Sequence, residues 1–314
     1  MLAGVLSRFL PASIMRDKRF FSLWEKRGYH VTPVHFYEPI PDTRAFKDDI
    51  FTWKSELPGI DMNPEGQIEL LDRFVSAYKQ EYDSFPNAPT DLPHEYHFNN
   101  GFFENVDAEI LYCMIREFKP RKMIEIGSGF STRVSAAAIR RNRELEPGYE
   151  CEFTSIEPYP NDQLRKGFEG LFRLVEAKAQ DLPMETFAAL GENDILFIDS
   201  SHVLTTGSDV WFECLEVLPR LRKGVIVHLH DILLPQQYIQ HWFKQKVFWN
   251  EQYLLQAFLA FNDRFQVMWA GQYMHLFHSS KLERAFASYR ELRNGDDPTR
   301  PRHGHKSFWM RKVG

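Results

Sequence analysis

The stretch Lys122-Met-Ile-Glu125-Ile-Gly127-Ser-Gly129-Phe-Ser-Thr132 decides the fold. An apolar run of strand character ends at Ile126, two closely spaced glycines follow, and a helical pattern begins at once. Glycine lets backbone approach a ligand, and the first turn of a helix presents free N–H groups. The turn therefore suits a nucleotide-type ligand at the C-terminal edge of a sheet. The third small position of a dinucleotide fingerprint is Thr132 here, which lowers a nicotinamide-cofactor reading.

Outward from this turn, strand and helix patterns alternate. Strands are expected at Lys122–Ile126, Glu152–Ile156, Phe172–Val175, Ile195–Ile198 and Gly224–Leu229. Helices are expected at Asp107–Phe118, Ser131–Arg143, Asn161–Phe168, Met184–Leu190 and Ser208–Leu218. Apolar runs this short read as strands buried on both faces, so the sheet is parallel and doubly wound. Two further helices, Pro235–Lys246 and Asn250–Phe261, precede an expected hairpin of Phe265–Trp269 and Tyr273–Phe277, turned at Ala270-Gly271. The fold class is thus α/β, with a mostly parallel, Rossmann-like sheet of seven strands over residues 100–279. Residues 1–99 form an aromatic and Pro-rich extension, a lid or wrapping segment with one clear helix at Pro64–Tyr82. Residues 280–314 read as a charged surface tail, in which His303 and His305 are expected to be solvated.

The bulk chemistry narrows the partners. The 314 residues carry 38 basic and 43 acidic side chains, a net charge of −5, which argues against holding nucleic acid by bulk electrostatics. No stretch has the ~20 apolar residues of a membrane span. The apolar start, Met1 to Leu10, lacks signal-peptide features and reads as a short helix packed on the body. Cys113, Cys151 and Cys214 share no metal-type spacing and fit a reducing, cytoplasmic setting. No pattern fixes an oligomeric state.

Two later elements refine the ligand site. The second strand ends at Glu157, where a ribose needs an acceptor for its hydroxyls, and the third leads into Gln180-Asp181, a polar pair able to read an adenine edge. Each has a plainer reading as a helix cap. Strand four ends in Asp199-Ser-Ser-His202 and strand five in His228-Leu-His230-Asp231. Both ends emerge at the ligand edge of the sheet, where two carboxylates and an imidazole suit a divalent cation or an acid–base site. His228 sits deeper and reads as a core histidine. Tyr29, Phe36, Tyr37, Trp249 and Tyr253 could roof a substrate pocket, although core packing is the default for such aromatics.

The run from Lys122 to Asp231 resembles class I S-adenosylmethionine-dependent methyltransferases, especially the catechol and caffeoyl-CoA O-methyltransferases. The resemblance implies S-adenosylmethionine as cofactor, with Glu125, Gly127, Gly129, Glu157, Gln180 and Asp181 in its site. In those metal-dependent enzymes the strand-four Asp and an Asp-Asn pair hold the ion, which implies Asp199, His230 and Asp231 as ligands of Mg²⁺ or Mn²⁺. Their base lies three residues after that Asp. In macrolide-sugar O-methyltransferases it is a His, which implies that His202 is the base beside Asp199, acting near its ordinary pKa. The chain from Gly28-Tyr-His-Val-Thr-Pro-Val-His-Phe-Tyr37 to Trp249-Asn-Glu-Gln-Tyr253 also resembles a bacterial methyltransferase family associated with glycan genes. A small-molecule or glycan acceptor is therefore expected. The alternatives are a nicotinamide-dependent oxidoreductase and a non-catalytic cofactor-binding partner protein.

Overall fold

The computed structural model describes residues 17–92, 94–294 and 305–314. The expected helix at Met1–Leu10, and His303, lie outside the described residues. Five parallel strands form where the apolar runs stand: β1 (Lys122–Ile126), β2 (Glu152–Ile156), β3 (Arg173–Val175), β4 (Ile195–Ile198) and β5 (Ile226–Leu229). With β6 (Phe265–Ala270) and β7 (Phe308–Lys312) they make one seven-stranded sheet in the order β3-β2-β1-β4-β5-β7-β6. Only β7 runs against its neighbours.

Side chains alternate between two cores, as strand geometry requires. Met123, Ile195, Phe197 and Ile226 enter one core, and Ile124, Leu196, Ile198 and Val227 the other. The first core lies beneath α1 (Pro64–Tyr82), α2 (Asp107–Phe118) and α3 (Phe130–Leu145). Asn63 caps α1, its Oδ1 accepting from the Gly66 N–H at 3.3 Å, and Pro64 opens the first turn. The second core takes the helical run Asp209–Phe212, Glu213–Val217 (a π turn) and Leu218–Arg220, and then α4 (Glu251–Leu259).

The expected hairpin does not form. Gly271–Phe277 is helical, and β6 pairs instead with β7, from the segment read as a surface tail. Gly271 is not a hairpin turn but a close crossing. A Cβ there would lie 2.6 Å from the His305 carbonyl oxygen, and its N–H donates to Ser307 O at 2.9 Å. His305 is accordingly buried, with burial pushing its imidazole down to about 3, rather than solvated. The expected helix Pro235–Lys246 shrinks to Gln240–Lys244. Among the described residues, no helix is long and apolar enough to cross a membrane.

Candidate active site

The strand ladder carries on past each strand end, and this aligns the site. Gly127 N–H donates to Ile156 O at 3.0 Å, Glu157 N–H to Val175 O at 3.0 Å, Asp199 N–H to Ile126 O at 2.9 Å and His230 N–H to Ile198 O at 2.9 Å. The residues after β1, β2, β4 and β5 thus stand side by side along one edge. Gly127 has φ +81°, and a Cβ on it would meet the Asp199 carbonyl oxygen at 2.0 Å. No side chain fits there.

A cleft of about 400 Å³ opens over this edge, lined by Gly127, Ile156, Glu157, Tyr159, Gln180 and Asp199 among others. Its size is that of a small-molecule site. Glu157 accepts from the Ser128 N–H at 3.2 Å and the Tyr159 N–H at 2.8 Å, which fixes its carboxylate at the rim. Gln180 Oε1 is buried with no protein partner. Three expected residues stand off the cleft. Glu125 lies beneath the turn, accepting from Ser131 Oγ at 2.7 Å. Gly129 precedes α3 and donates its N–H to Thr132 Oγ1 at 3.0 Å, which gives the unexpected Thr a capping task. Asp181 is exposed.

At the far end of the cleft, His202 is the hub of a charged cluster. Its Nε2 lies 3.2 Å from Asp199 Oδ1 and 3.5 Å from Asp231 Oδ2, and its Nδ1 lies 2.8 Å from Glu251 Oε2. Both His202 (φ 61°) and Asp231 (φ 55°) hold left-handed backbone, a conformation seldom kept without local compensation. The compensation for His202 is visible: its carbonyl accepts from the Asn250 and Glu251 N–H groups, and Trp249 packs on its ring at 4.4 Å between centroids.

Electrostatics follow from that geometry. Burial opposes charge on His202, but hydrogen bonds to Asp199 and Glu251 and the nearby charges of Glu251 and Asp231 prevail, raising its pKa well above the ordinary value. An imidazole acting near its ordinary pKa is therefore not what the cluster holds. Asp199 is pulled the other way: despite burial, His230 and His202 hold its carboxyl below the usual range. Glu251 is pushed up by burial, with only partial relief from His202.

Among the described residues, Asp199, His202 and Asp231 form the one group whose ligand atoms gather within 4.8 Å. His230 stands aside. Its Nε2 is 3.8 Å from Asp231 Oδ1, and its ring packs 5.0 Å from Phe103. Two residues that sequence reasoning missed complete the cluster. Glu251 is an acid in the first turn of a helix, indistinguishable in sequence from an ordinary dipole partner. Lys306 comes from the supposed tail and sets its Nζ 2.5 Å from Asp231 Oδ1. Its backbone is clamped by Asp107, whose carboxylate accepts from the Lys306 and Ser307 N–H groups at 2.9 and 3.0 Å.

Residues 124–232 match a family model described as a methyltransferase domain. The chain is 36% identical over 171 residues to an uncharacterized protein of Archaeoglobus fulgidus, spanning 52% of this chain and 75% of that one. Among solved structures it is similar to CmcI-N160 in its apo form, at 15% identity over 72% of this chain and 82% of that one, TM-score 0.38. It is also similar to an O-methyltransferase from Bacillus cereus in complex with SAH, at 13% identity over 78% and 91%, TM-score 0.36.

Proposed function

The chain belongs to the S-adenosylmethionine-dependent methyltransferases, and from that premise we propose that it methylates the oxygen of a sugar, glycan or other small-molecule hydroxyl. The observation that carries this reading is the cleft, which runs from Glu157 and Gln180 to Asp199 and there meets the His202 cluster. The cofactor's ribose would bind Glu157, its adenine Gln180 with Asp181 nearby, and its methionine end the backbone at Gly127. Glu125 and Gly129 would act from beneath, by holding the glycine turn. The catalytic unit we assign is residues 100–279 together with β7, with the preceding segment as a wrap. The nicotinamide alternative is displaced by the family match, and an open cleft favours an enzyme over a non-catalytic partner.

In the proposed reaction the acceptor oxygen attacks the methyl carbon, the C–S bond breaks, and its electron pair returns to sulfur. The hydroxyl proton passes to the Asp199–His202 pair. His202 is held protonated before the cofactor arrives, so it must first lose that proton. When bound, the cofactor would bring a positive sulfonium into the cleft that Asp199 lines, and that like charge would disfavour the imidazolium and leave His202 free to act as base. Asp199 and Asp231, rather than the set containing His230, would hold a divalent cation through their carboxylates; His202 Nε2 lies in the same group but is kept for the proton, because its Nδ1 is taken by Glu251. When bound, such an ion lowers the pKa of an acceptor hydroxyl.

The test is His202→Ala, assayed with methyl-labelled cofactor with and without EDTA. Turnover should fall roughly 10²–10⁴-fold with cofactor affinity nearly unchanged. In the unsubstituted protein, kcat/KM for the cofactor, which reports the free enzyme, should rise with pH through a range above that of an ordinary histidine, and kcat through a lower one. Unchanged turnover in the variant would remove His202 from the reaction.

A further inference from the structure

Lys306 is a largely buried cation that the proposed reaction leaves unused. Its Nζ lies 2.5 Å from Asp231 Oδ1, and its side chain is 12% exposed. Strand pairing delivers it there. In the antiparallel register of β5 and β7, Leu229 stands opposite Phe308, and two residues further along each chain Asp231 comes opposite Lys306. The Lys306 backbone is then held on both sides: its N–H donates to Asp107 Oδ2 at 2.9 Å, and its carbonyl accepts from the Ile232 N–H at 2.9 Å. The ammonium also stands 5.4 Å from the Trp242 ring centroid, within range of a cation–π contact. Trp242 packs on Trp249 at 4.5 Å, and Trp249 on His202 at 4.4 Å, so one run of rings flanks both cations of the cluster.

Asp231 is thereby engaged through both oxygens. Its Oδ1 faces Lys306, and its Oδ2 faces His202 Nε2 at 3.5 Å, while Asp199 Oδ1 faces the same nitrogen at 3.2 Å. The two carboxylates proposed to hold a divalent ion thus already have two positive partners within the protein. An ion bound by Asp231 would share an oxygen with a cation already present. Even with Glu251 ionised, a dication added to His202 and Lys306 in their charged forms leaves the cluster with surplus positive charge. A site cut off from water tolerates such an imbalance poorly.

We infer that Lys306 is the resident cation of the Asp199–Asp231 pair: it fills on Asp231 the place of a divalent ion, and a metal enters only by displacing it. The inference rests on the reading of those two carboxylates as a cation-binding pair. It adds that the chain carries its own counter-charge for the pair, which holds the pair's affinity for metal low. Only a fixed positive charge at position 306 has this effect, so it survives replacement by Arg and is lost with a neutral side chain.

The experiment is calorimetric titration of the full chain with Mn²⁺, a cation suited to carboxylate oxygens. The unsubstituted protein is compared with Lys306→Gln, Lys306→Arg and the double variant Lys306→Gln/Asp231→Asn, each checked for folding by circular dichroism. We expect Lys306→Gln to bind Mn²⁺ about tenfold or more tighter than the unsubstituted chain, a difference of roughly 1.4 kcal/mol. Lys306→Arg should bind no tighter than the unsubstituted chain, and the double variant should lose the gain. If Lys306→Gln is unfolded by itself, Mn²⁺ should fold it, because the metal then supplies the missing counter-charge. A gain that appears equally in Lys306→Arg, or persists in the double variant, would overturn the inference, as would an unfolded Lys306→Gln that Mn²⁺ leaves unfolded. Measurable but equal affinity in Lys306→Gln and the unsubstituted chain would overturn it while sparing the cation reading of Asp199 and Asp231. No uptake of Mn²⁺ by a folded Lys306→Gln would overturn both.

Discussion

Glu125 is fully buried beneath the glycine turn, and burial raises its pKa from 4.5 to about 8, with Ser131, Thr132 and Ser155 hydrogen bonds opposing and Asp199 adding to the rise. Between those two values the folded chain keeps a proton that the unfolded chain has released. Stability from this residue therefore falls as pH rises, by about 1.4 kcal/mol per pH unit, and the loss ends once pH passes about 8. Glu125→Gln keeps an acceptor for Ser131 and removes the titration. Urea denaturation at pH 6, 7 and 8 should show the variant gaining on the unsubstituted protein at each step. Parallel curves would mean that Glu125 is ionised in the folded state. Apart from this acid the turn needs little: Gly127 is fixed by the approach of Asp199, whereas Gly129 is held by Thr132.

At the scale of elements, the C-terminal strand does the most for the site. Strand β7 separates β5 from β6, and the residues just before it deliver Lys306 to Asp231. Removing that ammonium leaves a buried carboxylate short of its counter-charge, which costs roughly 3–5 kcal/mol when one partner of such a pair is lost. Lys306→Met, measured in EDTA by urea denaturation, should show a loss of that order, and adding Asp231→Asn should recover most of it. A loss below about 1 kcal/mol would make the pair an incidental surface-type contact. The same strand marks where the sequence stops being legible. Strands β1, β2 and β4 and the helices Pro64–Tyr82 and Asp107–Phe118 begin and end where their periodicity says, because each buries a face set by its own residues. The partner of β6 is set by a contact some forty residues away, and a local alternation at Tyr273–Phe277 resembled a strand only while Gly271 looked like a turn. The site divides likewise. Gly127, Glu157, Asp199, His202 and Asp231 follow strand ends and were readable, while Glu251 and Lys306 reach the cluster only through tertiary packing.

Across the whole molecule, the cofactor cleft opens over the ends of the parallel strands, and a separate hollow lined by Phe46, Phe51, Phe243 and Trp249 lies between the N-terminal segment and the helices after β5, with the Trp249 ring packed on His202. A doubly wound sheet has its ligand edge fixed by topology, so substrate choice is left to the segments that surround it. The proposed reaction depends on where the cofactor binds, and calorimetric titration with S-adenosylhomocysteine tests that most directly. Saturable binding is expected in the unsubstituted chain, about tenfold or more weaker in Glu157→Ala, and absent in Gly127→Val, whose side chain would drive into the Asp199 carbonyl. Equal affinity in all three proteins would contradict the assignment of this cleft.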